Sequence, residues 1–168
     1  MSLTLRDAAQ ADQVAILEVI RRAFPDEDLV PLVSTLLSDP DVLVRVAEHD
    51  GALCGVICWS FCAVGTAKVA LLGPLAVVPR FQKQRVGAAL IEDGWAALEA
   101  HSVVQAVVLG DPAYYGRFGF REETGVQTPY PLPDAWRPAW QGIALAGPLV
   151  TGPLEVPTPW QVPELWLP

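Results

Sequence analysis

The stretch that decides the fold is Val77–Trp95, VVPRFQKQRVGAALIEDGW, which begins apolar and extended, passes through a polar turn and continues as an apolar helical pattern. The turn, Gln82–Arg85, contains two cations. A helix N-terminus already carries partial positive charge and unpaired N–H groups, so added cations are unfavourable there unless an anion binds. The turn therefore predicts an anion site. The alternative is a solvated helix start whose cations cluster by chance.

The segments on either side of this turn complete a strand–helix–strand unit. The run before it, KVALLGPLAVVP at 68–79, is near-continuously apolar, as in strands buried on both faces, and Gly73-Pro74 suggests a bulge in its ladder. A helix is predicted from about Gln84 to Ala100, and a buried strand at Val103–Gly110. Strands joined by such a crossover are parallel, which places the turn at the carboxyl end of a strand, a natural phosphate site.

The rest of the chain shows no internal repeat and no linker, which predicts one domain over residues 1–168. The other predicted elements are a strand at Leu3–Ala8, a helix capped by Asp12 and running to Phe24, a helix in DEDLVPLVSTLLSD (26–39) with acids in its first turn, a hairpin turning at Asp50-Gly51, a strand at Phe118–Arg121 and a strand in QGIALAG (141–147).

Composition and charge exclude several classes of protein. The net charge of −8 argues against a nucleic-acid binder, which needs a broad basic face. No apolar run is long enough to span a bilayer, and the N-terminal MSLTLRDAAQ lacks the apolar region of a signal peptide. These features predict a cytoplasmic protein with no nucleic-acid or membrane partner. The Walker loop, the dinucleotide fingerprint and G-x-S-x-G are also absent from the sequence.

The three cysteines, Cys54, Cys58 and Cys62, occur at a regular spacing that resembles a metal motif. Their surroundings read as a strand, in which residues four apart lie roughly 13 Å from each other at roughly 3.3 Å per residue. They cannot then share a zinc ion or form a disulfide, and they are interpreted as reduced thiols on one strand face. His49 and His101 have no partner pattern, so no metal site is predicted.

A second motif, LGDPAYYGRFGF at 109–120, follows the second strand of the same unit and brings aromatic rings and a phenol beside the predicted phosphate cleft. Together, GPLAVVPRFQKQRVGAALI (73–91) and VVLGDPAYYGRFGF (107–120) resemble the GNAT superfamily of acetyl-CoA-dependent N-acetyltransferases. The branch that it resembles most consists of bacterial predicted acetyltransferases with G-D-P-x-Y-Y-x-R-F-G-F. The resemblance covers nearly the whole chain.

The resemblance implies an α/β (α+β) fold: a single domain with a central mixed, mostly antiparallel, twisted sheet, a parallel βαβ unit at the cofactor cleft and helices on both faces. It implies transfer of an acetyl group from acetyl-CoA to a primary amine of a small molecule or protein by direct attack. A non-catalytic acyl-CoA-binding or sensor protein with this fold is the alternative, and a scaffold domain that binds no CoA is a third possibility. Members of the family are often, but not always, dimers, so a homodimer stays open.

The family's loop pattern, Q/R-x-x-G-x-G/A, falls on Gln82–Gly87, where Arg85 replaces the central glycine. Arg85 must keep a negative φ or accept strain of order 1 kcal/mol, which a guanidinium–phosphate pair would offset. The cofactor-binding residues implied by the resemblance are Leu75, Ala76, Val77, Gln82, Lys83, Gln84, Arg85, Val86, Gly87, Ala88 and Asp111.

The resemblance also implies the catalytic groups. The family's acid is a tyrosine in Y-x-x-x-G-F, here Tyr115, and the backbone N–H of Leu75 or a near neighbour would be the oxyanion donor. The alternative for Tyr115 is a core tyrosine whose hydroxyl caps a backbone group. For the base, Glu27, Asp28 and a water chain stay open, and the two acids also suit a helix N-terminus.

The C-terminal segment, about 128–168, is rich in proline and contains four of the six tryptophans. Proline-rich peptides bind partner modules, but the tryptophans favour burial of the segment against the domain or a second subunit. Lining of the acceptor site and a dimer interface are further interpretations.

Overall fold

The computed structural model describes residues 2–167, which form four α-helices and nine β-strands. In chain order these are β1 (Thr4–Asp7), α1 (Gln13–Ala23), α2 (Val30–Leu37), β2 (Val42–His49), β3 (Ala52–Val64), β4 (Ala67–Val77), α3 (Val86–Ala100), β5 (Gln105–Leu109), α4 (Pro112–Tyr115), β6 (Arg121–Glu122), β7 (Val126–Gln127), β8 (Trp140–Ala144) and β9 (Gly152–Pro153). Short 3-10 turns lie between them, among them Pro79–Phe81 and Gly116–Phe118.

Seven strands form one sheet in the order β1-β2-β3-β4-β5-β8-β6, and β7 pairs with β9 in a separate two-stranded sheet. The β4–β5 pair is parallel, with Val69–Leu72 facing Gln105–Val108, as the predicted strand–helix–strand unit requires. The β1–β2, β5–β8 and β6–β8 pairs are antiparallel. The mixed, mostly antiparallel sheet with helices around it confirms the fold class expected from the sequence.

The chain divides into two compact units. The first comprises the chain up to Trp59 together with Pro74–Ala96, and the second comprises Ser60–Gly73 together with the chain from Ala97 onward. In the first unit, Ile16, Val19, Ile20, Val33, Val46, Val56, Ala76 and Val78 form the core. In the second unit, the core is formed by Cys62, Val64, Val69, Leu71, Val107, Val126, Trp140, Leu154, Val156 and Trp166.

Turn chemistry places the β2–β3 hairpin where the sequence predicts it. Asp50 and Gly51 have φ values of 52° and 78°, so both central residues of the two-residue turn have positive φ. This is the geometry of the type I′ turn that Asp-Gly pairs favour. All three cysteines lie on β3 and are buried, and none of them forms a disulfide within residues 2–167.

The structure corrects three details. Helix α2 begins at Val30, so Asp26–Asp28 precede it and do not lie in its first turn. Asp12 does not cap α1 with its side chain, because its carboxylate pairs with Arg6 at 2.7 Å and accepts a bond from the N–H of Ala9. The strand predicted from Phe118 begins only at Arg121, since Gly119 adopts a φ of 99° and ends the preceding turn.

Two of the four C-terminal tryptophans, Trp140 and Trp166, are buried within the second unit, and Trp136 and Trp160 are half-buried. The indole N–H of Trp140 donates to Val126 O at 2.8 Å, and that of Trp166 donates to Trp160 O at 3.1 Å. Trp160 in turn donates to the Ser60 hydroxyl at 2.9 Å. These bonds satisfy the polar edge of each ring, which lets the rings enter the core without an orphaned donor.

Within residues 2–167, no helix is both long and apolar enough to cross a bilayer, and no group of three His, Cys, Asp or Glu side chains is arranged to hold a metal ion.

Candidate active site

Strand β4 extends past its parallel partner. The β4–β5 ladder ends at the pair Leu72–Val108 and β5 ends at Leu109, whereas β4 continues to Val77. The implied cofactor residues Leu75, Ala76 and Val77 all lie in this extension, with Ala76 buried and its two neighbours half-buried. A strand that outruns its neighbour leaves main-chain N–H and C=O groups on that edge for an added strand or an amide-bearing ligand.

The polar turn after β4 has an unusual backbone. Lys83 and Arg85 have φ values of 61° and 65°, in the left-handed region that non-glycine residues seldom adopt. Each left-handed residue of this kind costs of order 1–2 kcal/mol. Of the two expectations for Arg85, a negative φ or a strained positive one, the structure shows the positive one. It also corrects the predicted start of the helix from Gln84 to Val86, since two left-handed residues cannot continue a right-handed helix.

Glutamine side chains hold this turn against the end of β4. The Gln82 amide donates to Val77 O at 3.0 Å, and the Gln84 amide donates to Arg80 O at 2.9 Å. These side chains are therefore engaged with the turn itself, and the Val77 carbonyl already has a partner. Both glutamines are exposed at the surface of the first unit.

Free donors remain at the start of α3. Arg85 O accepts the bond from Ala89 N at 2.9 Å, so Arg85 is the residue that precedes the helix. Within residues 2–167, no acceptor is recorded for the N–H groups of Lys83, Gln84 and Arg85, and the first N–H groups of a helix have no intrahelical partner. Such N–H groups, together with the helix dipole, are the chemistry that binds phosphate.

The Arg85 guanidinium forms an ion pair with Glu92 at 3.3 Å, and the two side chains are 75% and 54% exposed. Exposed pairs of this kind contribute about 0–1 kcal/mol, so the guanidinium can exchange its carboxylate partner for a phosphate at little cost. Lys83 and Arg80 add further positive charge to the same exposed turn.

Packing against β3 fixes the start of α3. A Cβ on Gly55 would lie 3.0 Å from side-chain atoms of Val86 and Leu90, so the first helical turn lies directly on this strand. Gly94 lies equally close to the Trp59 ring, where a Cβ would fall 2.7 Å from the ring carbon Cζ2. Because Gly55 and Gly94 have no side chains, α3 packs closely against β3, and this packing fixes the position of the helix N-terminus next to the polar turn.

In the second unit, Asp111 organises the segment that carries Tyr115. Its carboxylate accepts a bond from Ala113 N at 2.9 Å, and its carbonyl accepts bonds from Tyr114 N and Tyr115 N at 3.1 and 3.0 Å. Asp111 is thus the N-cap of α4, the role that aspartate favours at a helix start. A contact between Asp111 and a cofactor stays a prediction.

The Tyr115 ring is braced by aromatic and backbone contacts. It packs edge-on against Tyr114 and Phe120, with centroid distances of 5.0 and 5.8 Å, and Phe120 is buried. Burial raises the pKa of Tyr115 above its ordinary value, and the nearby Tyr114 and Asp111 raise it further. No hydrogen bond to the Tyr115 hydroxyl is found within residues 2–167, so the structure does not show the alternative of a hydroxyl that caps a backbone group.

Sequence reasoning missed two residues around Tyr115. Gly110 touches the ring, since a Cβ there would lie 2.5 Å from Tyr115 Cε2, and the buried Gln141 of β8 donates to Gly110 O at 3.1 Å. A buried glutamine within the apolar WQGIALA run was the available signal, because buried polar side chains have partners.

The open candidates for the base lie in the first unit. Glu27 and Asp28 belong to the loop between α1 and α2, not to a helix, and they line a surface groove of about 560 Å³ with Arg21 and Phe24. Leu75, Ala76, Val77 and the residues from Gln82 to Ala88 belong to the same unit, whereas Asp111 and Tyr115 belong to the second.

The chain is similar to known N-acetyltransferases. Residues 40–122 match the acetyltransferase (GNAT) domain model. The uncharacterised N-acetyltransferase YjhQ of Escherichia coli K12 is 31% identical over 141 residues, which are 78% of this chain and 78% of YjhQ. The crystal structure of E. coli YhbS, a GNAT N-acetyltransferase in complex with CoA, aligns with a TM-score of 0.84 at 27% identity over 95% of this chain and 92% of YhbS.

A GNAT acetyltransferase from Brucella melitensis, crystallised with acetyl-CoA, aligns with a TM-score of 0.78 at 26% identity, covering 95% of this chain and 99% of its own. The family resemblance expected from the two sequence motifs is thereby confirmed. On the identity and coverage of YjhQ and on these two structural matches, the chain belongs to the GNAT family of N-acetyltransferases.

Proposed function

We propose that this protein transfers the acetyl group of acetyl-CoA to a primary amine of a small molecule or protein by direct attack of the amine on the thioester. The observation that carries the proposal is the extension of β4 past β5, which leads through the 3-10 turn Pro79–Phe81 to a turn with free N–H groups and a helix N-terminus. The CoA and acetyl-CoA complexes of the two structural relatives support it.

The first unit supplies the proposed cofactor contacts. The pantetheine amides pair with the β4 edge at Leu75–Val77, and the pyrophosphate accepts bonds from the N–H groups between Lys83 and Ala88. Arg85 leaves Glu92 and pairs with a phosphate, which compensates for the strain of its backbone. A backbone N–H at or near Leu75 stabilises the oxyanion.

In the proposed reaction, Tyr115 is the acid that donates a proton to the leaving thiolate. The neutral amine nitrogen forms a bond to the thioester carbonyl carbon, and the tetrahedral intermediate then breaks its C–S bond. The departing thiolate receives the phenolic proton, and the phenolate regains a proton from the new acylated nitrogen or from solvent. Because the pKa of Tyr115 is raised, the phenol stays protonated and able to donate throughout the neutral and mildly alkaline range.

The test is thiol release from acetyl-CoA measured over a panel of small amines and lysine or N-terminal peptides, with the wild type, Tyr115→Phe and Tyr130→Phe. Tyr130→Phe is the matched control, since this half-buried tyrosine lies in the C-terminal segment of the same unit. We expect Tyr115→Phe to lower kcat by roughly 10²–10⁴-fold, the contribution of a general acid. Tyr130→Phe should retain wild-type turnover.

Calorimetric titration separates catalysis from binding. Micromolar binding of acetyl-CoA with no turnover on any acceptor would replace the proposal with the acyl-CoA-binding alternative. Equal turnover of Tyr115→Phe and wild type would remove Tyr115 from the mechanism while leaving the transferase activity standing.

A further inference from the structure

Gln141 is an unusual residue for its position. It is the second residue of β8, opposite Val108 of β5 and Glu122 of β6, and only 2% of it is exposed. A buried side-chain amide is retained at low cost only when its polar atoms are bonded. The groups that the Gln141 side chain contacts therefore indicate its function.

Those groups are two main-chain carbonyls at the end of β5 and the start of β8. The Gln141 amide nitrogen lies 3.1 Å from Gly110 O and 3.4 Å from Ala139 O. Both neighbours are acceptors, so the –NH₂ end of the amide must face them. Gly110 N also donates to Ala139 O at 2.9 Å, which makes a closed clamp just beyond the last ladder pair, Leu109–Trp140.

The clamped residue, Gly110, is the one that the Tyr115 ring rests on. A Cβ at Gly110 would lie 2.5 Å from Cε2 and 3.0 Å from Cδ2 of that ring. Gly110 also immediately precedes Asp111, whose carbonyl and carboxylate hold the first turn of α4. A shift of the Gly110 carbonyl would therefore move both the surface under the ring and the helix that carries it.

From this geometry we propose that Gln141 is a positioning residue for Tyr115, which it holds in place by tying the carbonyls of Gly110 and Ala139 together at the end of β5. The proposal rests on the proposed function insofar as Tyr115 is the acid. Its structural part, that Gln141 controls the placement of the Tyr115 ring, can be tested without turnover.

The test compares Gln141→Leu with Gln105→Leu. Gln105 is a matched control: it is 1% exposed, lies at the other end of β5, and bonds Glu123 and Val150 N without touching Gly110. It precedes Gly110 by five residues, roughly 16 Å along an extended strand. Both variants lose buried hydrogen bonds, so a general loss of stability affects them alike.

The first readout is ¹⁹F NMR of protein labelled with 3-fluorotyrosine. The chain has three tyrosines, so the spectrum is simple and Tyr115→Phe assigns the resonance. We expect the Tyr115 resonance to shift or broaden in Gln141→Leu and to keep its position in Gln105→Leu. An unchanged Tyr115 resonance in a folded Gln141→Leu protein would overturn the proposal, whether or not the enzyme turns over.

The second readout is kinetic. Gln141→Leu should lower kcat roughly tenfold or more with little change in the KM for acetyl-CoA, because a small displacement of a reacting group is enough for such a loss. In a Tyr115→Phe background the same substitution should cause no further loss, since residues that act through one another are not additive. Full additivity of the two substitutions would contradict the positioning role.

A third variant, Gln141→Glu, keeps the size of the side chain. Burial raises the pKa of a carboxyl, and only its protonated form can donate to Gly110 O. The kcat of this variant relative to wild type should therefore be highest at low pH and fall as the pH rises. A pH-independent ratio would contradict hydrogen-bond donation at this position.

The two proposals can fail separately. If the Tyr115 resonance shifts as expected in a protein that shows no turnover, the result supports the positioning role of Gln141 and refutes the proposed function.

Discussion

Replacing Arg85 by glycine tests the strained backbone at the proposed anion site. The φ of 65° at Arg85 costs about 1–2 kcal/mol relative to glycine, of which about 0.5–1 kcal/mol is offset by the greater chain entropy of glycine in the unfolded state. The difference is best measured against Arg85→Ala, because both variants lose the ion pair with Glu92. Arg85→Gly should therefore be more stable than Arg85→Ala by about 0.5–1 kcal/mol.

Urea denaturation measures this difference, as a change of midpoint at a constant m-value. The thermal midpoints should differ by about 2 °C, given the 168 residues of the chain. An Arg85→Gly protein that is no more stable than Arg85→Ala would refute the left-handed conformation. Calorimetric titration with acetyl-CoA then isolates the guanidinium: both variants should bind roughly tenfold or more weakly than wild type, the effect of one charge-assisted hydrogen bond.

Two further predictions concern Gly94 and Asp12, which both belong to the first unit. Gly94→Ala should lower the free energy of unfolding by about 1–2 kcal/mol, because its Cβ would overlap the Trp59 ring and the gain in helix propensity is smaller than this cost. The control is Gly116→Ala, whose Cβ would have no atom within 4 Å. The same urea titration should show the control to be near neutral. The Arg6 hydrogen bond lowers the pKa of Asp12 to about 2, below its unfolded value near 4, so its stabilising effect is present at neutral pH and lost as the pH falls from about 4 to about 2. Acid titration of Asp12→Asn should show a smaller loss of stability across that window than wild type, and an identical loss would contradict the pairing.

Strain at the polar turn also bears on how this loop departs from the family pattern. Lys83 and Arg85 both take left-handed backbone, although the resemblance implied a glycine only at the position of Arg85. A strained conformation persists when surrounding contacts over-determine it, and here the Gln82 and Gln84 side chains bond the backbone on either side. The turn thus holds two left-handed residues that both carry cationic side chains.

Local chemistry made much of the fold predictable. Asp50-Gly51 encodes its own turn, since few other pairs adopt two positive φ values in succession, and the apolar runs around the polar turn encode a strand–helix–strand unit. The tryptophans of the C-terminal segment predict burial of that segment, because so large an apolar area is seldom left in water. Family resemblance added Tyr115, whose surroundings in the sequence do not distinguish an acid from a core residue.

Tertiary contacts decided what the local patterns left open or pointed to wrongly. Asp12 stands at a position where its residue type predicts a helix cap. In the folded chain its carboxylate pairs with Arg6 of β1 instead of bonding the first N–H groups of α1. Helix α3 begins two residues late because Arg85 adopts a positive φ, a conformation that an arginine does not predict from sequence.

Gln141 shows the same limit at the candidate site. Its burial follows from the insertion of β8 between β5 and β6, a long-range pairing that no local pattern specifies. By itself, the sequence determined most of the elements and the family and led to the proposed site residues, because propensity, turn geometry and motif are local. Only the tertiary structure decided which polar side chains hold those residues in place, because those bonds join segments distant in the chain.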